Sequence, residues 1–303
     1  MIMNYVTKIR AKVNIYASKK SSNLFDGSYK SIYQGNGLDF ENLREYIPGD
    51  NIRDIDWKAS SRSGKMLVKR YIAEKKHNIL IVWDSGKKMM AHSKGMEIKK
   101  DLALNVGGIV GYLAAKNGDN VGALYNRNGM IQYHPLRMGM HNIERILTTY
   151  DKEQFEGYNS NLEKNLNYIV KNIRRKMIIF VISDATGIRD VSSSTLKKLV
   201  GRHDVLFVRI GDAEYTDAGM ADRKKNKKVQ TSFNMEKNTY VPEFILKNKK
   251  LIKMEQEVKQ KLDDENENKL LQYRIISTEI DSEEEMIDKI VELLEGHRYA
   301  NSR

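Results

Sequence analysis

Runs of consecutive apolar residues, each closed by a polar one, recur through the middle of the chain. Residues 77–84, 177–184 and 204–210 are apolar at almost every position, the pattern of strands buried on both faces. The first two runs end in Asp84 and Asp184. Between them the period changes. Met96 to Lys116 places Ile98, Leu102, Val106, Ile109, Val110 and Leu113 on one helical face. Further helices are predicted over 142–150, 161–174 and 192–200. Asn120 to Tyr125 reads as a strand, paired with Met130 to Tyr133 through the turn Arg127-Asn128-Gly129. Strand–helix alternation from Ile79 to Ile210 predicts a doubly wound, mostly parallel sheet with helices on both faces.

The ends of the chain are more polar. Val6 to Ala17 is predicted to be a short helix, either packed on the domain or lying on a membrane surface, and packing is the expectation. A long charged helix is predicted over 241–266, a last strand over 273–277 and a closing helix over 282–294. Ser282 and Glu285 have capping-box spacing. Breaks near Lys75 and across 211–237 divide the chain into an N-terminal segment, 1–75, and an α/β domain, 76–303, with a basic insertion at about 212–266. No apolar run approaches the ~20 residues needed to cross a bilayer, and no signal-peptide pattern is present. The expectation is a soluble, cytoplasmic protein.

Composition narrows the chemistry. The chain has no cysteine, which excludes a disulfide scaffold, thiolate metal sites and a cysteine nucleophile. Its six histidines show no i, i+4 pair that would clamp a metal on one helix face. The net charge is +12, and Asp222 to Lys261 alone carries +7. Arg223 to Lys228 and Lys247 to Lys250 are the densest basic runs. Such runs are either solvated surfaces or binders of phosphate backbone or anionic lipid. They lack the interleaved aromatics that stack on bases, so nucleic acid is not the expected partner.

Asp84 and Asp184 are the candidate chemistry. Ligands of open α/β sheets bind beyond the carboxyl ends of the strands, at a switch point. With Ser85, Ser183 and Thr186 nearby, these two acids would suit Mg²⁺. The alternative is that each caps the segment that follows it. Gly107, Gly108 and Gly111 lie inside a predicted helix, where close packing explains them better than phosphate binding. No P-loop, no G-x-S-x-G and no other catalytic constellation appears, and no small-molecule substrate is expected.

The most distinctive stretch alternates charges with apolar residues: Gly35, Gly37, Phe40, Leu43, Arg44, Tyr46, Pro48, Gly49, Asp50, Arg53, Ile55, Asp56, Trp57, Arg62, Val68, Lys69 and Glu74. Arg44, Tyr46, Asp50, Arg53, Asp56, Trp57 and Arg62 are expected to form a fully paired network, with Phe40, Leu43, Tyr46, Ile52, Ile55 and Trp57 as apolar anchors. These residues, in this order, resemble the signature of the bacterial domain of unknown function 58 family. That resemblance implies a von Willebrand factor A-like domain after the signature and a MoxR-type AAA+ ATPase as partner. It also implies a Mg²⁺ site of the form D-x-S-x-S, with a Thr in a second loop and an Asp on a later strand end. Here Asp84 and Asp184 match, but Gly86 and Lys88 replace the two serines. The second loop, placed at 139–141, has no hydroxyl. The site is therefore expected to be degenerate, with Lys87 or Lys88 offsetting the charge of Asp84 and Asp184.

The expected function is a non-enzymatic interaction module, an adaptor or co-chaperone of such an ATPase. Its partner-binding crevice would comprise Asp84, Ser85, Lys87, Lys88, Met140, Asp184 and Thr186, with Met89, Met90 and Met138 near its rim. The alternatives are a metal-dependent hydrolase using Asp84, Asp184 and Asp50 or Asp56, and a nucleic-acid binder using the basic runs.

Overall fold

The computed structural model of the chain describes residues 4–19, 39–72, 76–127, 129–155, 161–213, 233–234, 239–240 and 248–301. Helix α1 (Tyr5–Lys19) is followed by a hairpin unit of β1 (Asp39–Glu45), α2 (Trp57–Ser63) and β2 (Leu67–Ile72). The body then runs β3 (Asn78–Trp83), α3 (Lys99–Lys116), β4 (Asn120–Arg127), β5 (Met130–Arg137), α4 (Met140–Asp151) and α5 (Leu162–Asn172). It continues with β6 (Ile178–Ser183), α6 (Ala185–Asp190), α7 (Ser193–Val200) and β7 (Asp204–Ile210). A two-residue ladder, β8 (Phe233–Asn234) with β9 (Thr239–Tyr240), precedes α8 (Lys249–Gln272), β10 (Ile276–Ile280) and α9 (Met286–Asn301).

The central sheet has the order β10-β7-β6-β3-β4-β5 and is parallel except for the edge strand β5. This is the doubly wound α/β arrangement that the alternating pattern predicts. Every residue of β3 and β6 is buried, because both sheet faces are covered. Ile79, Ile81 and Trp83 join one core with residues of α1, α3, α4 and α9. Leu80 and Val82 point the other way, into a core built with α5, α7 and α8. That alternation is the two-residue period of a strand.

Helix α1 packs on the body. Ile9 and Val13 are buried in the first core, and the Glu144 carboxylate of α4 accepts from the N–H groups of Tyr5 (3.0 Å) and Val6 (2.8 Å). An acid from another helix thus caps the positive end of α1. Gly107 sits against the Trp83 ring, where an added Cβ would lie 2.2 Å from a ring carbon. Close packing is what this glycine serves.

Some boundaries move. β5 is longer than expected and tolerates Pro135 because it is an edge. The last strand begins at Ile276, three residues later than predicted, after Arg274 takes a left-handed φ of 55°. The closing helix begins at Met286, four residues later than expected, and Glu285 accepts from the Asp281 N–H (2.5 Å), so the expected Ser282–Glu285 box does not open it. The long charged helix extends to Gln272 and is the crossover from β7 to β10. Its Asn266 donates to the Ala185 carbonyl (2.8 Å), and its Lys269 donates to the carbonyls of Ile188 (3.2 Å) and Arg189 (2.9 Å), groups left open by the end of α6. The basic run Arg223 to Lys228 and residues 241–247 lie outside the described residues.

Candidate functional site

β3 and β6 are hydrogen-bonded neighbours, and the strand order reverses between them. Asp84 and Asp184 therefore leave the sheet side by side, at the switch point. Asp84 is 1% exposed. Its Oδ2 accepts from the Ser183 hydroxyl (2.8 Å), and its Oδ1 from the N–H groups of Asn161 (3.1 Å) and Gly86 (3.2 Å). Asp184, also 1% exposed, caps α6 through the Gly187 N–H (2.8 Å) and binds the Lys99 ammonium with its other oxygen (2.9 Å). The capping reading is thus met at Asp184. Lys99, the first residue of α3, is 1% exposed and also pairs with Asp212 beyond β7. Lys88 donates to the Thr186 hydroxyl (2.6 Å), and the Ser85 hydroxyl accepts from the Asn126 N–H (2.9 Å).

The electrostatics follow from these contacts. Burial pushes the Asp184 carboxyl up, but the adjacent Lys99 charge and hydrogen bond, the Gly187 amide and Lys88 together hold it below its ordinary value. Burial likewise disfavours the Lys99 ammonium, and Asp184 with Asp212 more than offsets that, holding it above the ordinary lysine value. Both groups are charged at neutral pH.

Asp84, Ser85, Lys88, Asp184 and Thr186 lie together at the strand ends, and Lys87 is half-buried on the same 3-10 turn as Lys88, Lys87–Met90. Met140 does not. β5 runs antiparallel, with Arg137 opposite Val121, so the chain emerges from it at the amino ends of the parallel strands. Residues 138–140 lie at that opposite edge, where Met138 Sδ is 3.7 Å from the Lys76 ammonium just before β3. The segment that reaches the carboxyl ends is the one after α4, and Asn161 delivers its contact to Asp84. Met89 is in the core, and Met90 and Met140 pack against it. Lys99, Asp212 and Asn161 escaped the sequence reading. Two lysines opening an apolar helix oppose its dipole, which signals that they are paired elsewhere. Lys100, the second, donates to the carbonyls of Asp151 (2.6 Å) and Glu153 (2.5 Å).

The signature stretch folds as the β1–β2 hairpin with α2 at its tip. Arg44 forms a two-bond fork with Asp50 (2.7 and 2.6 Å), whose Oδ2 also accepts from the Ile47 N–H (2.9 Å). The Arg44 contacts, the Ile47 amide and the Arg44 charge hold the Asp50 carboxyl below its ordinary value. Asp56 caps α2 through the Ala59 N–H (3.0 Å), and Gly64, at φ +70°, ends that helix. Ile55 and Val68 are buried. Leu43 and Tyr46 are half-buried, whereas the expected anchors Ile52 and Trp57, like the neighbouring Ile47, are not covered. Trp57 is 64% exposed, Ile52 65% and Ile47 60%. Arg53 and Arg62 have no side-chain partner among the described residues. A two-stranded hairpin has only one face to bury, so only part of the alternating pattern can be anchors.

The family model described as "Protein of unknown function DUF58" matches residues 42–229, more than half of the chain. This chain belongs to the DUF58 family. Two curated relatives, Uncharacterized protein Rv1480 of Mycobacterium tuberculosis and Uncharacterized protein Mb1516 of Mycobacterium bovis, are each 24% identical over 213 residues. The match covers 68% of this chain and 66% of each relative, just under two thirds of their length. Among solved structures, the chain is similar to the conserved hypothetical protein BatB from Bacteroides thetaiotaomicron, at 10% identity and a TM-score of 0.43, covering 74% of this chain and 99% of that one. An aerotolerance-related membrane protein from Bacteroides fragilis is similar over 45% of this chain and 68% of its own, at 13% identity and a TM-score of 0.33. No described helix of this DUF58 protein is long and apolar enough to cross a membrane.

The Mg²⁺ implied by the signature does not fit these residues. Asp84 already accepts three hydrogen bonds, and both oxygens of Asp184 are engaged. Gly86 offers no side-chain oxygen, and Lys88 and Lys99 bring positive charge into the same pocket. A divalent ion needs about six oxygen ligands and is repelled by ammonium groups.

Proposed function

We propose that this DUF58 protein is a non-enzymatic, cytoplasmic interaction module with a von Willebrand factor A-like body, and an adaptor or co-chaperone of a MoxR-type AAA+ ATPase. The partner comes from the family resemblance. The surface comes from the hairpin, and one observation carries the reading: the signature leaves Trp57 and Ile52 in solvent, with Arg53 and Arg62 also exposed on the same hairpin unit. Exposed tryptophan and arginine are the residue types that most often dominate binding energy at protein interfaces. Lys65 pairs with Glu45, Lys69 lies 3.5 Å from Asp56 and Arg44 pairs with Asp50, so the hairpin's acids are largely engaged within it. Arg53, Lys58 and Arg62 are left to meet carboxylates on the partner. At the strand ends the buried acids are engaged in caps and ion pairs, which supports a structural role for them. Only the rim of that crevice, Lys87 above all, is open to contact.

The test is binding of the purified chain to the MoxR-type ATPase encoded in the same genome, with and without ATP. Trp57→Ala and Arg62→Glu are each expected to weaken binding at least about tenfold, as hot-spot truncations do. Unchanged affinity in both variants would remove the hairpin from the interface. Absence of any complex, or metal-dependent phosphoester turnover lost in Asp84→Asn, would remove the adaptor reading itself.

A further inference from the structure

We infer that the ammonium groups of Lys88 and Lys99 together take the place of a divalent cation at the switch point, so that the strand ends carry a built-in, metal-independent charge balance. The inference concerns the chain alone and stands apart from the identity of any partner.

Asp84 and Asp184 are brought together at 1% exposure each. Two carboxylates buried side by side require compensating positive charge, because an uncompensated buried charge is among the most destabilising features a fold can contain. A divalent ion would supply two positive charges; here two lysines bring them, one shared between Asp184 and Asp212 and the other set beside Thr186. Lys99 reaches in from the start of α3 and bridges Asp184 to Asp212. Lys88 reaches in from the 3-10 turn after β3 to Thr186, two residues beyond Asp184. Both lysines are themselves buried, at 1% and 8% exposure. The long, flexible stems of lysine normally carry the charge out to water. Both burials fall on the stretch that runs from the turn after β3 into the first residue of α3, and together they mark a charge balance built into the fold.

The substitution changes what the site can do. A bound metal keeps open coordination positions and is lost to chelators. An ammonium donates hydrogen bonds, holds no vacant position and is covalently part of the chain. Lys88 stands where the D-x-S-x-S pattern has its last serine, so the loss of a ligand and the gain of a charge occur in one residue. Lys99 supplies the second charge from a different element, which ties α3 to the end of β6 and to Asp212.

The experiment is a melting and titration series on the purified chain. Wild type is expected to melt at the same temperature in EDTA and in millimolar MgCl₂ or MnCl₂, and to show no saturable Mn²⁺ binding by calorimetry. Lys99→Ala in EDTA is expected to melt about 10 °C lower, as for breaking one side of a buried ion pair in a chain of this size. In the K88S/K99A double variant, which removes both ammoniums and restores a hydroxyl, MnCl₂ is expected to raise the melting temperature. Tight one-to-one Mn²⁺ binding by wild type, lost in Asp84→Ala, overturns the inference. So does a Lys99→Ala chain that melts like wild type, or a double variant that MnCl₂ leaves unchanged. The wild-type titration needs no variant to fold, so it decides even if both variants aggregate.

Discussion

Gly107→Ala tests how tightly the first core is built around Trp83. The new Cβ would lie 2.2, 2.7 and 2.9 Å from three atoms of the indole ring. The ring has nowhere to go. It is fully buried, stacks on Tyr150 at 4.4 Å between centroids, and donates its Nε1–H to the Ala103 carbonyl at 2.8 Å. Forcing a methyl into such a core costs about 1–3 kcal/mol. If the ring tilts to accept it, the buried Nε1–H loses its acceptor, for about 1–3 kcal/mol more. Alanine regains about 1 kcal/mol of helix propensity over glycine. The net is a destabilisation of up to about 2 kcal/mol if the ring holds its place and about 1–5 kcal/mol if it tilts. The control is in the same molecule: Gly296 is also helical, but its added Cβ would meet nothing closer than 3.4 Å, an ordinary contact. Gly296→Ala should be neutral or slightly stabilising. Urea titration followed by far-UV circular dichroism reads both without depending on Trp83 emission. A Gly107→Ala protein as stable as Gly296→Ala would refute the packing argument.

Other outcomes follow from particular contacts. Ile9→Ala should cost about 2–4 kcal/mol, since the side chain is 2% exposed and joins α1 to the core. An added Cβ at Gly108 would meet Ile9 Cδ1 at 2.3 Å, so Gly108→Ala should be better tolerated in the Ile9→Ala background; strict additivity in the double-mutant cycle would contradict this. His134, His203 and His297 are each held below the ordinary imidazole value, first by burial. The unfolded chain then binds more protons than the folded one just below pH 6.5. Their contribution is present above that value and is lost as pH falls. Urea-derived stability should therefore drop between about pH 7 and pH 5.5, and replacing all three by uncharged residues should flatten the drop. Iodide should quench the exposed Trp57 and leave the buried Trp83 emitting; a single unquenched component would contradict the exposed placement.

The sheet was legible because its signal is redundant. A strand buried on both faces has no choice but a continuous apolar run, and β3, β6 and β7 all show one. That Asp84 and Asp184 are neighbours follows once β3 and β6 pair, and the order of strands is a tertiary fact that no local period encodes. The placement of Met140 failed for a related reason. A hairpin return and a crossover both leave a strand end, and the direction of β5 decides which edge the next loop occupies. Counting residues from Asp84 cannot reveal that reversal, whereas the turn Arg127-Asn128-Gly129, followed through to its antiparallel consequence, would have.

The hairpin and the lysines show two further limits, and they have one physical origin. Alternating charge and apolarity in the signature reads as anchors among ions, yet a side chain is an anchor only if a second layer covers it. Ile55 and Val68 have that cover, while Ile52 and Trp57 do not. Conversely, Lys99 reads as a surface residue because lysine almost always is one, yet two acids arriving from β6 and from the chain beyond β7 make burial tolerable. In both cases the residue type predicts its usual environment, and the partner that reverses the outcome lies far away in sequence. The local anomaly that survives in the chain is the placement of charge against a helix dipole, at Lys99 and Lys100, where α3 begins without a side-chain cap. A helix that opens on two cations has to send them somewhere. Here one goes to Asp184 at the switch point and to Asp212 beyond β7, and the other to the carbonyls at the end of α4 and just past it, so the charges that would weaken α3 in isolation are what fasten it to the candidate site.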